Sequence, residues 1–228
     1  MNFFRLSICL LFIFLSFPCY LCSQERSDPF KIDSFPMFIG NGKSESSSSS
    51  NIWRGEKGEG FIAGTDTFTF NLGMAYGVLL FGGDERHDIV HISLAYGRMI
   101  GDIQGENHWY KGNFEIRGEL LGGYQINSES DSNLGITPHI RYHFATGTSL
   151  IPYVDLGVGL MLTEIRAPDL GAAFQFNEQL ATGVNYFVTD NFAINIEGRY
   201  MHISSASLSK PNKGVNTIGL FIGANWFF

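Results

Sequence analysis

One alternation, held in the same phase through eight segments, constrains this chain more than any other feature. Apolar side chains fall on even-numbered positions in Phe68–Leu80, Val90–Tyr96, Phe114–Tyr124, Leu134–Phe144, Val154–Leu162, Phe174–Tyr186, Phe192–Tyr200 and Ile218–Phe228. A period of two is the period of a β-strand. The residues between them are small or polar, among them Thr67 and Asn71, then Glu115, Arg117 and Glu119, then His139, Arg141 and His143, then Glu197 and Arg199. A face so rich in ionisable groups is not an ordinary dry core, so the apolar face is the outside. The alternation therefore predicts an all-β fold: an eight-stranded antiparallel transmembrane β-barrel with an apolar exterior and a polar, filled interior.

The predicted strands span 60–81, 88–98, 110–126, 132–145, 149–163, 171–187, 191–206 and 214–228. Each is long enough to cross a bilayer core, which takes about 9 to 11 tilted residues. An even number of strands lets the sheet close with both ends on the periplasmic side and leaves no unpaired edge in lipid. Ala145–Thr148 and Thr189–Asn191 read as short periplasmic turns, whereas 127–132 and 163–171 face outward. The connection from Ile100 to Tyr110 is long for a periplasmic turn and is the weakest joint. Inside, Glu115, Arg117, Glu119, Arg141, Asp155, Glu197 and Arg199 can form a salt-bridged plug, because eight strands enclose only enough room for side chains. That argues against a porin. The final aromatic run, Phe221 with Trp226, Phe227 and Phe228, suits a membrane boundary.

Composition agrees without deciding. Twenty-one Phe, nine Tyr and twenty-seven Gly in 228 residues lean toward a β-barrel, and a formal charge of -7 gives no support for a nucleic-acid partner. Residues 1–23 read as a signal peptide, with Arg5 in the n-region and an apolar run from Leu6 to Phe17 that is short for a transmembrane helix. Cleavage after Ser23 removes all three cysteines; a lipoprotein reading through Cys19 or Cys22 is the alternative. Residues 24–59 form a flexible leader, serine-rich from Gly42 to Asn51, in which Phe35–Ile39 can make a short extra strand. The barrel occupies 60–228. An integral outer-membrane location follows.

The same parity isolates the candidate chemistry. His202 and Ser204 on the seventh strand and Asn216 on the eighth are polar groups at positions that should be greasy. His202 and Ser204 share one side of a strand within reach of a hydrogen bond, so the imidazole can take the serine proton as the hydroxyl attacks an ester carbonyl. Across a short loop, Asn216 can hold the histidine tautomer, as the third member of a hydrolytic triad does. Tyr200 is placed to contact an acyl chain or the interface, and Lys210 and Lys213 to attract phosphates. His139 and His143 alternate inward with Arg141 instead of forming a compact metal pair, and Glu56–Gly60 lacks the features of a phosphate-binding loop. No cofactor or metal is expected.

The run His202-Ile203-Ser204-Ser205-Ala206, followed by Pro211-Asn212-Lys213-Gly214-Val215-Asn216, resembles the outer-membrane lipid A 3-O-deacylase family. Its members carry His-x-Ser-Asn-Ala-Gly at the end of strand seven and Pro-Asn-x-Gly-x-Glu at the start of strand eight. The resemblance extends more loosely through Gly118–Gly122, Pro138–Phe144, Ile151–Gly159 and Phe174–Phe176, covering about residues 88 to 228. It implies an eight-stranded barrel that removes the ester-linked 3-hydroxyacyl chain at the 3-position of lipid A, with His202 as base and Ser204 as nucleophile. Lipid A or lipopolysaccharide and the membrane are then the partners. This chain departs from the pattern at two positions: Ser205 stands where the family has its oxyanion-region Asn, and Asn216 where it has the acidic member. A structural or adhesive barrel that has lost catalysis is therefore the competing reading.

Overall fold

The structure, a computed structural model, describes residues 52–80, 82–127 and 130–228. Eight strands form in chain order: β1 (Asp66–Gly77), β2 (Ile89–Gln104), β3 (Gly112–Gln125), β4 (Ser132–Phe144), β5 (Leu150–Thr163), β6 (Phe174–Phe187), β7 (Phe192–Ser204) and β8 (Val215–Phe227). Each pairs antiparallel with its neighbours, and β1 pairs with β8, so the sheet closes on itself. Parity survives intact. Exposed Leu72, Ile92, Ile116, Ile136, Leu160, Leu180, Ile196 and Leu220, one from each strand, form a continuous apolar girdle. A patch of that extent marks a lipid-facing surface. At the end where β1 begins and β8 finishes, Trp226 lies 6.0 Å from Phe68 and 5.2 Å from Phe192, an aromatic belt of the kind that anchors a barrel at the headgroups.

Three differences from the sequence reading bear on how the barrel closes. Strand β1 starts at Asp66 and not at 60. Strand β2 runs past 98 to Gln104, with a register shift between Ile100 and Gln104, and Gln104 pairs with Gly112. The long 100–110 connection is thus strand as far as Gln104, bent by its irregularity, and a turn beyond it.

The third difference is at the leader. Residues 52–59, expected within a flexible leader, carry buried Ile52 and Trp53. The cause is the inward-facing apolar foot of the barrel, where Met99, Phe187 and Phe227 need cover; Ile52, Trp53 and Phe61 supply it. Phe61 stacks on Phe227 at 5.1 Å and Trp53 Nε1 donates to the Asp190 carbonyl at 3.0 Å. Ion pairs from Lys57 to Asp190 and Glu59 to Lys111 pin the segment to two turns. The signal, the serine-rich run and Phe35–Ile39 lie outside the described residues.

Within the barrel the expected ionic plug is present. Arg141 bridges Asp155 (2.6 Å) and Glu197 (2.8 Å); Arg199 bridges Glu197 (2.6 Å) and Glu119 (2.9 Å). His139 and His143 bind Asp155 and Glu115, each at 2.6 Å. Arg117 is the exception: it is buried, and its guanidinium makes no hydrogen bond within the protein among the described residues. Above the charged layer, Leu121, Met201, Ile203 and Phe221 form an apolar lid. Phe221, expected in the terminal aromatic run, instead packs inside with the Arg199 guanidinium 4.3 Å over its ring. A polar layer sealed between two apolar plugs is a filled barrel.

Candidate active site

The site lies where the girdle breaks, at the upper ends of β6, β7 and β8. Register sets His202 opposite Asn216 on β8 and opposite Glu178 on β6, so one row across three strands reads Glu178, His202, Asn216. Glu178 stands outside the sequence candidates. Its signal was nonetheless legible: a charge at an even position of β6, where every alternate neighbour from Phe174 to Tyr186 is uncharged.

Asn216 organises the row. Its Oδ1 accepts from His202 Nδ1 and from the Tyr200 hydroxyl, each at 2.7 Å, while its Nδ2 donates to the Leu80 carbonyl at 2.6 Å. Two donors on one side and an acceptor on the other permit one orientation of the amide. That orientation assigns the proton to His202 Nδ1 and leaves Nε2 with its lone pair. Nε2 makes no hydrogen bond among the described residues. The ring is backed by Gly214, at φ +84, where an added Cβ would lie 2.6 Å from His202 Cε1. Any larger residue there would displace the imidazole.

The structure corrects the expected placement of Asn216. It is only 3% exposed and does not face lipid, because the chain leaving β1 continues beside β8 and covers it: Val78 N donates to the Asn216 carbonyl at 2.9 Å. Tyr200, expected against an acyl chain, spends its hydroxyl on Asn216.

Ser204 is half-buried at the last position of β7, opposite Phe176. Among the described residues it makes no hydrogen bond to His202. Residues two apart on a strand are separated by about 6.6 Å along it, so contact requires the side chains to lean together. Here the imidazole leans toward Asn216.

Ser205 is likewise committed elsewhere. Its N–H and its hydroxyl both donate to Asn212 Oδ1, at 2.7 and 2.9 Å, and its Oγ accepts from Ser209 N at 3.2 Å. These bonds close the β7–β8 loop, whose Ala206 and Ser207 adopt φ 50 and 68. The Ser205 N–H is therefore not free to receive an oxyanion. Lys213 is paired with Asp84 and Lys210 is exposed. The loops themselves are tied by Asp169, which accepts from Asp84 N (2.6 Å) and His87 Nε2 (3.0 Å) and whose carbonyl accepts from Lys213 N (2.9 Å). No sequence pattern pointed to Asp169, because its partners come from two distant loops.

A sequence model of the lipid A 3-O-deacylase (PagL) family matches residues 90–225, a stretch that contains the whole row and both flanking loops. The chain belongs to the lipid A 3-O-deacylase family. Within known proteins, it is 25% identical over 121 residues to the lipid A deacylase PagL of Pseudomonas aeruginosa, covering 50% of this chain and 67% of that one. It is also 30% identical over 80 residues to the outer membrane protein PagN of Salmonella typhimurium, covering 30% and 34%. Among solved structures, the outer membrane enzyme PagL superposes with a TM-score of 0.53 at 19% identity, over 67% of this chain and 97% of that one. Neisserial surface protein A gives 0.54 at 20%, over 72% and 99%. Identities this low show a shared barrel and nothing finer. Membership of the deacylase family rests on the sequence match, and the girdle and the barrel likeness support an outer-membrane location.

Proposed function

We propose that the protein is an outer-membrane esterase that removes the ester-linked 3-hydroxyacyl chain from the 3-position of lipid A. The observation that carries this reading is the His202–Asn216 hydrogen bond, which leaves Nε2 as the basic nitrogen on the face that carries Ser204. In the reaction, Ser204 Oγ attacks the ester carbonyl carbon as its proton passes to Nε2. The tetrahedral intermediate collapses, the sugar oxygen leaves with the proton from Nε2, and the acyl group stays on Ser204. Water, deprotonated by Nε2, then attacks the acyl-serine; 3-hydroxy fatty acid leaves and Ser204 regains its proton. Apo-enzyme hydrogen bonds between nucleophile and base are commonly long and tighten with substrate, so the open Ser204–His202 contact is compatible with this sequence of steps. The upper rim of the barrel meets the outer leaflet, where the lipid A ester lies at the boundary between headgroup and hydrocarbon. Lys210 in the rim loop is suited to the phosphates of such a substrate. Export by residues 1–23 belongs to the same proposal.

A second reading is a non-catalytic structural or adhesive barrel. Two observations weigh for it: no Ser204–His202 bond is formed, and the Ser205 N–H is bound to Asn212. Together they leave neither dyad nor oxyanion hole assembled, whereas family membership and the oriented histidine weigh for the esterase. Mass analysis of lipid A from cells with and without the protein separates the two. Loss of one 3-hydroxyacyl mass in expressing cells supports the esterase; identical profiles at matched expression support the silent barrel.

A further inference from the structure

One charged residue interrupts the apolar girdle without a part in the chemistry above. Outward-facing charges are otherwise confined to the β1–β2 foot, where Asp66 and Arg98 pair at 2.7 Å and Asp102 follows the register shift. Away from that foot, Glu178 is the only Asp, Glu, Lys or Arg at an outward-facing strand position among the described residues. It is half-buried and forms no ion pair among those residues. A lone carboxylate on a lipid-facing surface is unfavourable, so its position calls for a task.

That position is directly across from His202. Opposed residues on antiparallel strands have Cβ atoms about 4.5 to 5.5 Å apart, well within electrostatic reach. His202 is thus flanked by an amide on β8 and a carboxylate on β6. The amide cannot do everything an acid would: it fixes the tautomer but carries no charge to balance the imidazolium that forms when Nε2 takes the serine proton. Nor is Asn216 readily exchanged for an acid, since the Leu80 carbonyl requires a donor from it at 2.6 Å. An acidic side chain there would set oxygen against oxygen.

We propose that Glu178 supplies the negative charge that stabilises the His202 imidazolium, so that orientation and charge balance, united in one acidic residue in other triads, are divided here between Asn216 and Glu178. Glu178 is a positioning residue in this scheme and touches no substrate. The proposal rests on the reading of His202 as the base. The other titratable or charged groups around the imidazole are Tyr200 on β7, bound to Asn216, and Lys213 of the β7–β8 loop, paired with Asp84 of the β1–β2 loop.

The test is release of 3-hydroxy fatty acid from lipid A vesicles by the full-length barrel and its variants Glu178→Gln, Glu178→Asp, Glu178→Leu and Ser204→Ala. Glu178→Gln should lower kcat about tenfold to hundredfold with KM within about twofold. Glu178→Asp should recover most of the rate. Glu178→Leu, better matched to lipid and expected to fold at least as well, should show the same loss as Gln. A dead Ser204→Ala beside Glu178→Gln and Glu178→Leu enzymes with unaltered kcat overturns the role of Glu178 and leaves the esterase standing. Equal lack of release from the wild type and Ser204→Ala overturns both.

Discussion

Polar groups are withdrawn from water in two parts of this barrel, and the two are built differently. In the lumen Arg141 and Arg199 each bridge two carboxylates, and Asp155, Glu119 and Glu197 each hold at least one arginine. On the outer row, among the described residues, His202 has one hydrogen-bonded nitrogen and one without a hydrogen bond, Ser204 has no partner in His202, and Glu178 has no ion pair. Charges that are mutually satisfied hold a fold together and resist change of protonation. Groups left with unused capacity are the ones that can exchange protons with a substrate. Among the lumen arginines described, Arg117 alone makes no hydrogen bond, and its neighbours on β3, Glu115 and Glu119, are both engaged elsewhere.

The contrast can be broken by mutation, starting with the largest effect. On the outer row, Ser204→Ala and His202→Ala should each reduce 3-hydroxy fatty acid release by about 10³-fold or more while leaving a folded, heat-modifiable barrel. Unchanged release in both would place the chemistry elsewhere. In the lumen the signs reverse. Arg199→Met leaves Glu119 and Glu197 buried with a charge short, so it should destabilise the barrel by about 3 to 5 kcal/mol, read as a lower denaturant midpoint in detergent. A variant as stable as wild type would deny the plug its structural role.

Smaller effects sharpen the boundary between the two regions. Phe61→Ala removes the ring stacked on Phe227 at the foot and should cost about 3 kcal/mol of stability with no change in the rate per folded molecule. A change in rate without loss of stability would tie the foot to the site. Asn216→Ala should lower kcat by about tenfold to hundredfold, less than loss of the histidine, because the base survives and only its tautomer is released. At the rim, Lys213→Ala breaks an exposed pair with Asp84 and should change stability by less than about 1 kcal/mol. Thermal unfolding of the two proteins side by side reads that difference.

Much of this was legible in the sequence, and the reason lies in the period of two. Lipid on one side and a closed lumen on the other leave each strand residue only two environments, so Glu115, Arg141 and Glu197 inside and Leu72, Ile136 and Leu180 outside are assigned by parity alone. The same rule picked out His202 and Ser204. It failed for Asn216, which has the parity of a lipid-facing residue but is covered by residues 78–80, a contact between ends of β1 and β8 that no local pattern encodes. It is silent on Ser205, a candidate only through the family resemblance, because loops have no period. Composition placed 52–59 in the leader, because an apolar foot needing cover becomes visible only once Phe187 and Phe227 come together at one end of the closed sheet.

By itself, then, the order of amino acids determined the architecture and the face on which each strand residue lies, because alternation leaves one solution in a bilayer. The tertiary structure decided which polar groups meet. Register across β6, β7 and β8 set Glu178 and Asn216 on either side of His202, turned the imidazole toward the amide and bound the Ser205 N–H to Asn212. Hydrogen bonds depend on distance and angle between residues far apart in the chain, and only the closed sheet fixes those.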